Sequence, residues 1–274
     1  MDLFLQFAGP ALAGIFVGVM SGLLGVGGGT IMVPIFRLAF GMSPLASTAT
    51  SLFAIIPTSI SGVASHMRAK TCVPKLGVAL GLGGAVMSPV GVWLASVSPG
   101  WLVILVAALV ISFSAYKMFK KAVKAPKRGE RADSSKPAAQ NAVPDQPNLT
   151  RKQLLQGAAI GMVAGLASGY VGVGGGFIMV PMMLAILSIP MSLASGTSLI
   201  AIMILAIPGV IEQAILGNIN YFAGISIVIG TIPGAVVGAR LVRVIPERQL
   251  RFAFGGFLLV AAVMLMLNEF GILG

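Results

Sequence analysis

Charged side chains make up only 9% of the 274 residues, against 57% hydrophobic ones, and the mean hydropathy is +1.00. A chain with so little polar surface cannot face water all round, so lipid must serve as part of its solvent. There is one cysteine, Cys72, which excludes an internal disulfide; close to Arg68 and Lys70, it reads as an inert thiol in a cytoplasmic loop. Polar, titratable positions are almost missing from the apolar runs. His66, Glu212 and Gln213 fall at span ends and read as interfacial, and no proton relay is evident. HExxH, GxSxG and paired intramembrane aspartates are missing too, which weighs against a membrane enzyme. The fifteen methionines are scattered and join no Cys or His cluster, so they read as packing rather than as copper ligands. Neither a metal nor any other cofactor is expected.

What the sequence does hold is a series of apolar runs, such as 78–97 and 102–118, near the roughly 20 residues a helix needs to cross about 30 Å of hydrocarbon. These runs are apolar on every face. A barrel would alternate apolar and polar residues in strands of about ten, and that reading is rejected. The expected fold class is an all-α polytopic membrane protein. Its first residues, Met1-Asp2-Leu3-Phe4, carry no positive region, and the stretch that follows reads as a retained first span rather than a cleaved signal.

The formal charge of +11 raises the question of nucleic acid, and its location answers it. Ten Lys or Arg lie between Lys117 and Lys152 against Glu130, Asp133 and Asp145, a net of +7. The same segment holds Pro126, Pro137, Pro144 and Pro147, the composition of a linker rather than a folded domain. It reads first as a cytoplasmic topology signal and second as a contact for acidic lipid head groups. Nucleic acid is not an expected partner; a lipid bilayer and a small anion are.

A 14-residue stretch, Ser21-Gly22-Leu23-Leu24-Gly25-Val26-Gly27-Gly28-Gly29-Thr30-Ile31-Met32-Val33-Pro34, returns 147 residues later as Ser168 to Pro181 with the same glycines. In the same register Thr50-Ser51-Leu52 matches Thr197-Ser198-Leu199, Gly62 matches Gly209 and Pro99 matches Pro246. The chain reads as a first repeat over 1–119, a basic linker over 120–152 and a second repeat over 153–274. Charge then orients each copy. Arg68, Lys70 and Lys75 make one loop of the first copy cytoplasmic, whereas its counterpart at 212–221 has no Lys or Arg and the next loop carries Arg240, Arg243, Arg248 and Arg251. The basic loops have swapped, so the copies are expected to cross the membrane in opposite directions.

Opposite orientation requires 154–187 to enter and return, as does 3–40, with the turn at the glycines. The expectation is a long helix to about Val171, a break at Gly172 to Gly176 and a short helix over 177–187. Each copy thus has three ordinary spans plus one broken pair, about ten membrane elements in all. Arg37 would then lie near the outer surface, which fits this arrangement poorly. Trp93 and Trp101 bracket the turn at Pro99 and suit an interfacial belt.

Gly14, Gly18 and Gly22, like Gly161, Gly165 and Gly169 and like Gly230, Gly234 and Gly238, lie four apart and suit close helix packing. The clusters Gly25-Val26-Gly27-Gly28-Gly29 and Gly172-Val173-Gly174-Gly175-Gly176 are different. Each glycine inside a helix costs about 1 kcal/mol relative to Ala, so four in five residues mark unwound backbone. Such backbone survives in a membrane only inside protein or along a wet cavity. Two breaks related by inversion would meet near the midplane, with short helices starting at Thr30 and Phe177 aiming N–H groups and positive dipole ends at an anion. A dinucleotide loop is excluded because no strand precedes either cluster. A ligand-free hairpin stays open as the alternative.

Candidate binding residues are therefore Gly27, Gly28, Gly29 and Thr30 with Thr50 and Ser51, and Gly174, Gly175, Gly176 and Phe177 with Thr197 and Ser198. Thr48 and Ser195 extend the hydroxyl set, although such hydroxyls also bond their own helix. Pro57 and Pro208 mark probable kinks deeper in the same spans.

The duplicated Gly-x-x-Gly-Val-Gly-Gly-Gly-x-Ile-x-Val-Pro stretch followed by Thr-Ser-Leu resembles the TauE/SafE sulfite exporter family, over nearly the whole chain outside the linker. The resemblance implies permeation of sulfite, of sulfonates such as sulfoacetate, or of related organosulfur anions across a bacterial plasma membrane. An outward-moving anion carrier is the leading expectation and an ion-coupled importer of an organic or organosulfur acid the second. A scaffold or sensor subunit is left open.

Overall fold

A computed structural model describes residues 2–124, 150–172 and 174–269. Most of the basic linker, 125–149, lies outside them. Among the described residues all regular structure is helical: α1 (Asp2–Leu24), α2 (Gly29–Phe40), α3 (Pro44–Arg68), α4 (Pro74–Val97), α5 (Gly100–Lys124), α6 (Arg151–Val171), α7 (Gly176–Ile186), α8 (Met191–Ile215), α9 (Tyr221–Leu241) and α10 (Glu247–Glu269).

The helix ends follow local chemistry. Ser43 Oγ accepts from the Ala46 N–H at 3.3 Å, with Pro44 preset in the first turn of α3. Thr150 and Gln153 form a reciprocal capping box at α6, and Asn220 Oδ1 accepts from the Ala223 N–H at 3.1 Å to open α9. Gly41, left-handed at φ 61°, stops α2. The turns after α3 and α8 use the left-handed conformation at matching places, Lys70 (φ 54°) and Gly217 (φ 70°).

Among the described residues six helices are long and apolar enough to cross a membrane: α3, α4, α5 (over Gly100–Lys120), α6, α8 and α9. Among the described residues α10, expected as an ordinary span, is not one of them, whereas α6, expected as an arm of a broken pair, is. The molecular surface has the character that lipid demands. Leu12, Phe16, Val86, Leu109 and Ile229 are more than half exposed while Ser51, Thr58, Ser198 and Thr231 are wholly buried.

The tightest packing joins the two halves of the sequence. α1 lies along α9 and α4 along α6, the same pairing with the copies exchanged; α4 also packs on α8 and α9 on α3, while α3 meets α8 and α5 meets α10. The glycine rows make this possible. A Cβ on Gly14, Gly18 or Gly22 would overlap the carbonyls of Ile227, Thr231 or Ala235, and one on Gly161, Gly165 or Gly169 those of Leu80, Gly84 or Ser88. Backbones in such contact gain dispersion energy and weak Cα–H···O bonds that larger residues would forbid.

Candidate functional site

Both glycine clusters are breaks. α1 ends at Leu24 and α2 starts at Gly29, with Gly25, Gly27 and Gly28 at φ 71°, 83° and 81° between them. α6 ends at Val171 and α7 starts at Gly176, one residue before the expected Phe177, with Gly172, Gly174 and Gly175 at φ 72°, 87° and 69°. Three left-handed residues in so short a run are tolerable only as glycine.

A broken helix leaves carbonyls on one side and N–H groups on the other, and the protein treats the two differently. On the carbonyl side, the Gly25 N–H closes onto Ser21 O at 2.8 Å and the Gly172 N–H onto Ser168 O at 2.7 Å. The Ser198 hydroxyl of α8 donates to Gly25 O at 2.7 Å, and in the matching place the Ser51 hydroxyl of α3 donates to Gly172 O. Each copy therefore satisfies the break of the other. His66 adds a further bond to the first break, its Nε2 lying 2.8 Å from Gly22 O. A carbonyl only accepts, so Nε2 carries a proton, and Nδ1 lies 2.7 Å from the Thr71 hydroxyl. On the N–H side, Gly28 and Gly175 are the N-caps of α2 and α7, and neither helix has a side-chain cap. In α2 the Ile31 and Met32 N–H groups turn back to Gly28 O, and in α7 Gly176 donates to Gly174 O and Ile178 and Met179 to Gly175 O. The first-turn N–H groups left without an acceptor among the described residues are those of Gly29, Thr30 and Phe177.

The two breaks touch. A Cβ on Gly176 would overlap Gly25 O and stand 2.8 Å from Val26 Cα. One on Gly174 would be 3.0 Å from Ile55 Cδ1, and one on Gly27 would be 3.1 Å from Ile202 Cγ2. Ile55 and Ile202, again 147 residues apart, are wholly buried and fill the place where the breaks meet. They were not among the candidate residues, although the repeat register with Ser51 and Ser198 one turn earlier was the available signal. Gly28 and Gly175 lie further out against α1 and α6 respectively. Gly29 and Gly176 open the short helices, and Thr30 and Phe177 beside them are wholly buried.

Thr50 and Thr197 sit elsewhere. Thr50 Oγ1 accepts from the Asn220 N–H at 3.0 Å, and Thr197 Oγ1 accepts from the Val73 N–H at 2.9 Å while donating to Leu193 O. These bonds anchor the starts of α9 and α4 on the other copy, so both oxygens already have protein partners. His66 and Gln213 also differ from the interfacial reading. They occupy equivalent positions at the ends of α3 and α8, but both are buried, His66 against Thr71 and Gln213 Oε1 against Asn218 Nδ2 at 2.8 Å. Burial in the loop after α3 pushes the Cys72 thiol above its ordinary pKa, in line with an inert role.

One cleft leads toward the second break. It has a volume of about 210 Å³ and is lined by Arg37, Ser43, Thr48, Ser98, Tyr170 and Val171, with Gly100 at its rim. The second copy carries Glu247 where the first has Gly100, and Glu247 Oε1 accepts from the Met191 N–H at 3.3 Å and pairs with Arg251 at 2.7 Å.

The family model for the sulfite exporter TauE/SafE matches residues 11–265. Three proteins of Bacillus subtilis strain 168, each called a probable membrane transporter protein, are similar along most of their length. YunE is 26% identical over 254 residues, covering 87% of this chain and 89% of that protein. YjnA is 26% identical over 269 residues (93% and 98%), and YdhB is 27% identical over 238 residues (86% and 91%). No solved structure matches the chain. With six helices able to span a bilayer and a family match that runs from α1 into α10, the chain belongs to the TauE/SafE sulfite exporter family of multi-pass membrane transporters.

Proposed function

We propose that the protein exports a small sulfur-containing anion, sulfite or a sulfonate, through a site at the paired glycine breaks between two inverted repeats of a bacterial inner-membrane carrier. The observation that carries this reading is the imbalance at the breaks: the Gly25 and Gly172 carbonyls are bonded across the copies, whereas the N–H groups of Gly29 and Thr30 in α2 and of Phe177 in α7 have neither a side-chain cap nor a backbone acceptor among the described residues. A site with its acceptors satisfied and its donors open favours an anion, and two positive helix ends add to that preference. The candidate ligands are Gly27 to Thr30 and Gly174 to Phe177, with Ser51 and Ser198 fixing the backbone behind them.

Inversion of the repeats is supported by the exchanged pairing of α1 with α9 and α4 with α6. Sidedness is supported by contacts between loops that carry the same charge signal. Arg243 Nη2 donates to Ala69 O at 2.9 Å, joining the two loops assigned to the cytoplasm together with the linker. A negative interior favours exit of each negative charge by about 2.3 kcal/mol per 100 mV, so export needs no coupling ion.

The test is efflux of radiolabelled sulfite from proteoliposomes under potassium-diffusion potentials. Efflux should accelerate as the interior becomes more negative, and unlabelled sulfonates should compete. The second reading, an ion-coupled importer, draws on His66, a titratable ring bonded directly to the first break. Flux that ignores the potential but follows a proton gradient would replace the first reading with the second.

A further inference from the structure

Ser21 and Ser168 close the long arms of the two broken pairs, 147 residues apart, and both are wholly buried. Neither hydroxyl has a hydrogen-bond partner among the described residues. A Cβ on Gly28 would stand 3.6 Å from Ser21 Cβ, and one on Gly175 would stand 3.3 Å from Ser168 Cβ. Each serine therefore lies against the N-cap glycine of a helix, 12 residues long for α2 and 11 for α7, that has no side-chain cap.

Some buried hydroxyls of the neighbouring helices find partners by bonding back to the preceding turn, as Thr58 of α3 does to Ala54 O and Ser226 of α9 to Phe222 O, both at 2.8 Å. Ser47, Ser59 and Ser88 have none but are serine in one copy alone. Ser21 and Ser168, serine in both copies, form no such bond. A buried hydroxyl left unpartnered destabilises the apo protein, and the cost is removed by a ligand that accepts its proton. The groups beside it decide which ligand. The N–H groups of a helix start and a hydroxyl together form a set of donors at a positive dipole end, which suits the oxygens of a tetrahedral or pyramidal oxyanion and repels a cation.

Resting on the anion-transport reading, we propose that Ser21 and Ser168 are cargo ligands, so that the chain holds two oxyanion loci, one at each break, rather than one shared site. The loci are unequal. On α2 the buried Thr30 hydroxyl is also unpartnered, whereas the equivalent residue of α7 is Phe177. The first locus has a second hydroxyl to offer and binds more tightly.

Equilibrium dialysis of the protein in lipid nanodiscs against radiolabelled sulfite under nitrogen tests this, with ethanesulfonate as competitor. The wild-type chain should show two classes of site. Ser21→Ala should weaken the tighter class about tenfold and leave the other unchanged, Ser168→Ala should do the reverse, and Ser→Cys, a weaker donor, should fall between. Phe177→Thr should tighten the second class. Because the deleted hydroxyls have no protein partner, the anion-free thermal midpoint of the alanine variants should equal or exceed that of the wild type. Wild-type binding of sulfite that neither alanine variant alters would overturn the serine assignment and leave the anion reading standing, as would a single class of site. An alanine variant that unfolds at a lower temperature without anion would mark the serine as structural and likewise overturn it. Failure of the wild-type protein to bind either sulfite or ethanesulfonate would overturn the anion reading itself, and the two loci with it.

Discussion

Ser47, Ser59 and Ser88 in the first copy stand where the second copy has Ala194, Ala206 and Ala235. All six residues are wholly buried, and the three hydroxyls have no hydrogen-bond partner. The second copy thus closes the same helix contacts with a methyl group, so folding does not require those hydroxyls. By contrast Thr50, Ser51 and the break glycines are repeated as Thr197, Ser198 and their glycines, and in both copies they are bonded or closely packed. These bonded or closely packed shared residues carry the scaffold, unlike the shared but unpartnered Ser21 and Ser168. Ser47, Ser59 and Ser88, confined to the first copy, add polarity that the scaffold leaves unused.

The strongest challenge to that division is to overfill the shared glycine rows. Gly18→Leu and Gly165→Leu each place a side chain onto backbone of the other copy, where nothing can rotate away. Each should cost more than about 4 kcal/mol and leave no monodisperse protein on size exclusion. A folded, well-behaved Gly18→Leu protein would refute the close α1–α9 contact. A smaller effect is expected at the anchoring threonines. Thr197→Val strands the buried Val73 N–H and should lower stability by about 1–3 kcal/mol, whereas Thr50→Val frees the part-buried Asn220 N–H and should cost about 0.5–1.5 kcal/mol. Since the two anchors share no hydrogen-bond partner, a double variant should lose about the sum of the single losses in chemical denaturation.

Making the first copy resemble the second should cost little. Ser47→Ala, Ser59→Ala and Ser88→Ala are expected to keep or raise the thermal midpoint, and a fall in any of them would move that serine into the scaffold class. Smallest of all is the change at Cys72, whose counterpart is the buried Ile219. Cys72→Val should shift stability by less than about 1 kcal/mol. Because burial holds the thiol protonated above its ordinary range, maleimide labelling of the folded wild type should be slow at neutral pH and quicken as pH rises.

Much of the architecture was legible because glycine and proline act locally. The apolar runs at 78–97 and 102–118 lie inside α4 and α5, and the breaks fall within a residue of the glycine clusters. The chemistry around the breaks was less legible, because it depends on which element of one copy meets which element of the other. Nothing in the spacing of Thr50 reveals that its oxygen is taken by Asn220, 170 residues away. His66 looked interfacial because it lies in the last turn of a span; its burial follows from Gly196 leaving room for the ring and Gly22 O bonding its Nε2, contacts visible only in three dimensions.

The exchange of α1 and α4 with α9 and α6 also bears on how the protein is made. Synthesis runs from the amino terminus, so α1 and α4 are finished long before their partners on the far side of the linker emerge. Until then their glycine faces, shaped for another backbone, meet only lipid, and the carbonyl of Gly25 waits for Ser198. The first half must therefore persist in the bilayer as an unfinished assembly, and its maturation is timed by the ribosome's progress through α9. A stop codon in the linker would leave a membrane-inserted fragment with two open seams, a ready target for membrane quality-control proteases. Co-expressing the two halves as separate chains should restore both seams and lengthen the fragment's lifetime in pulse-chase labelling.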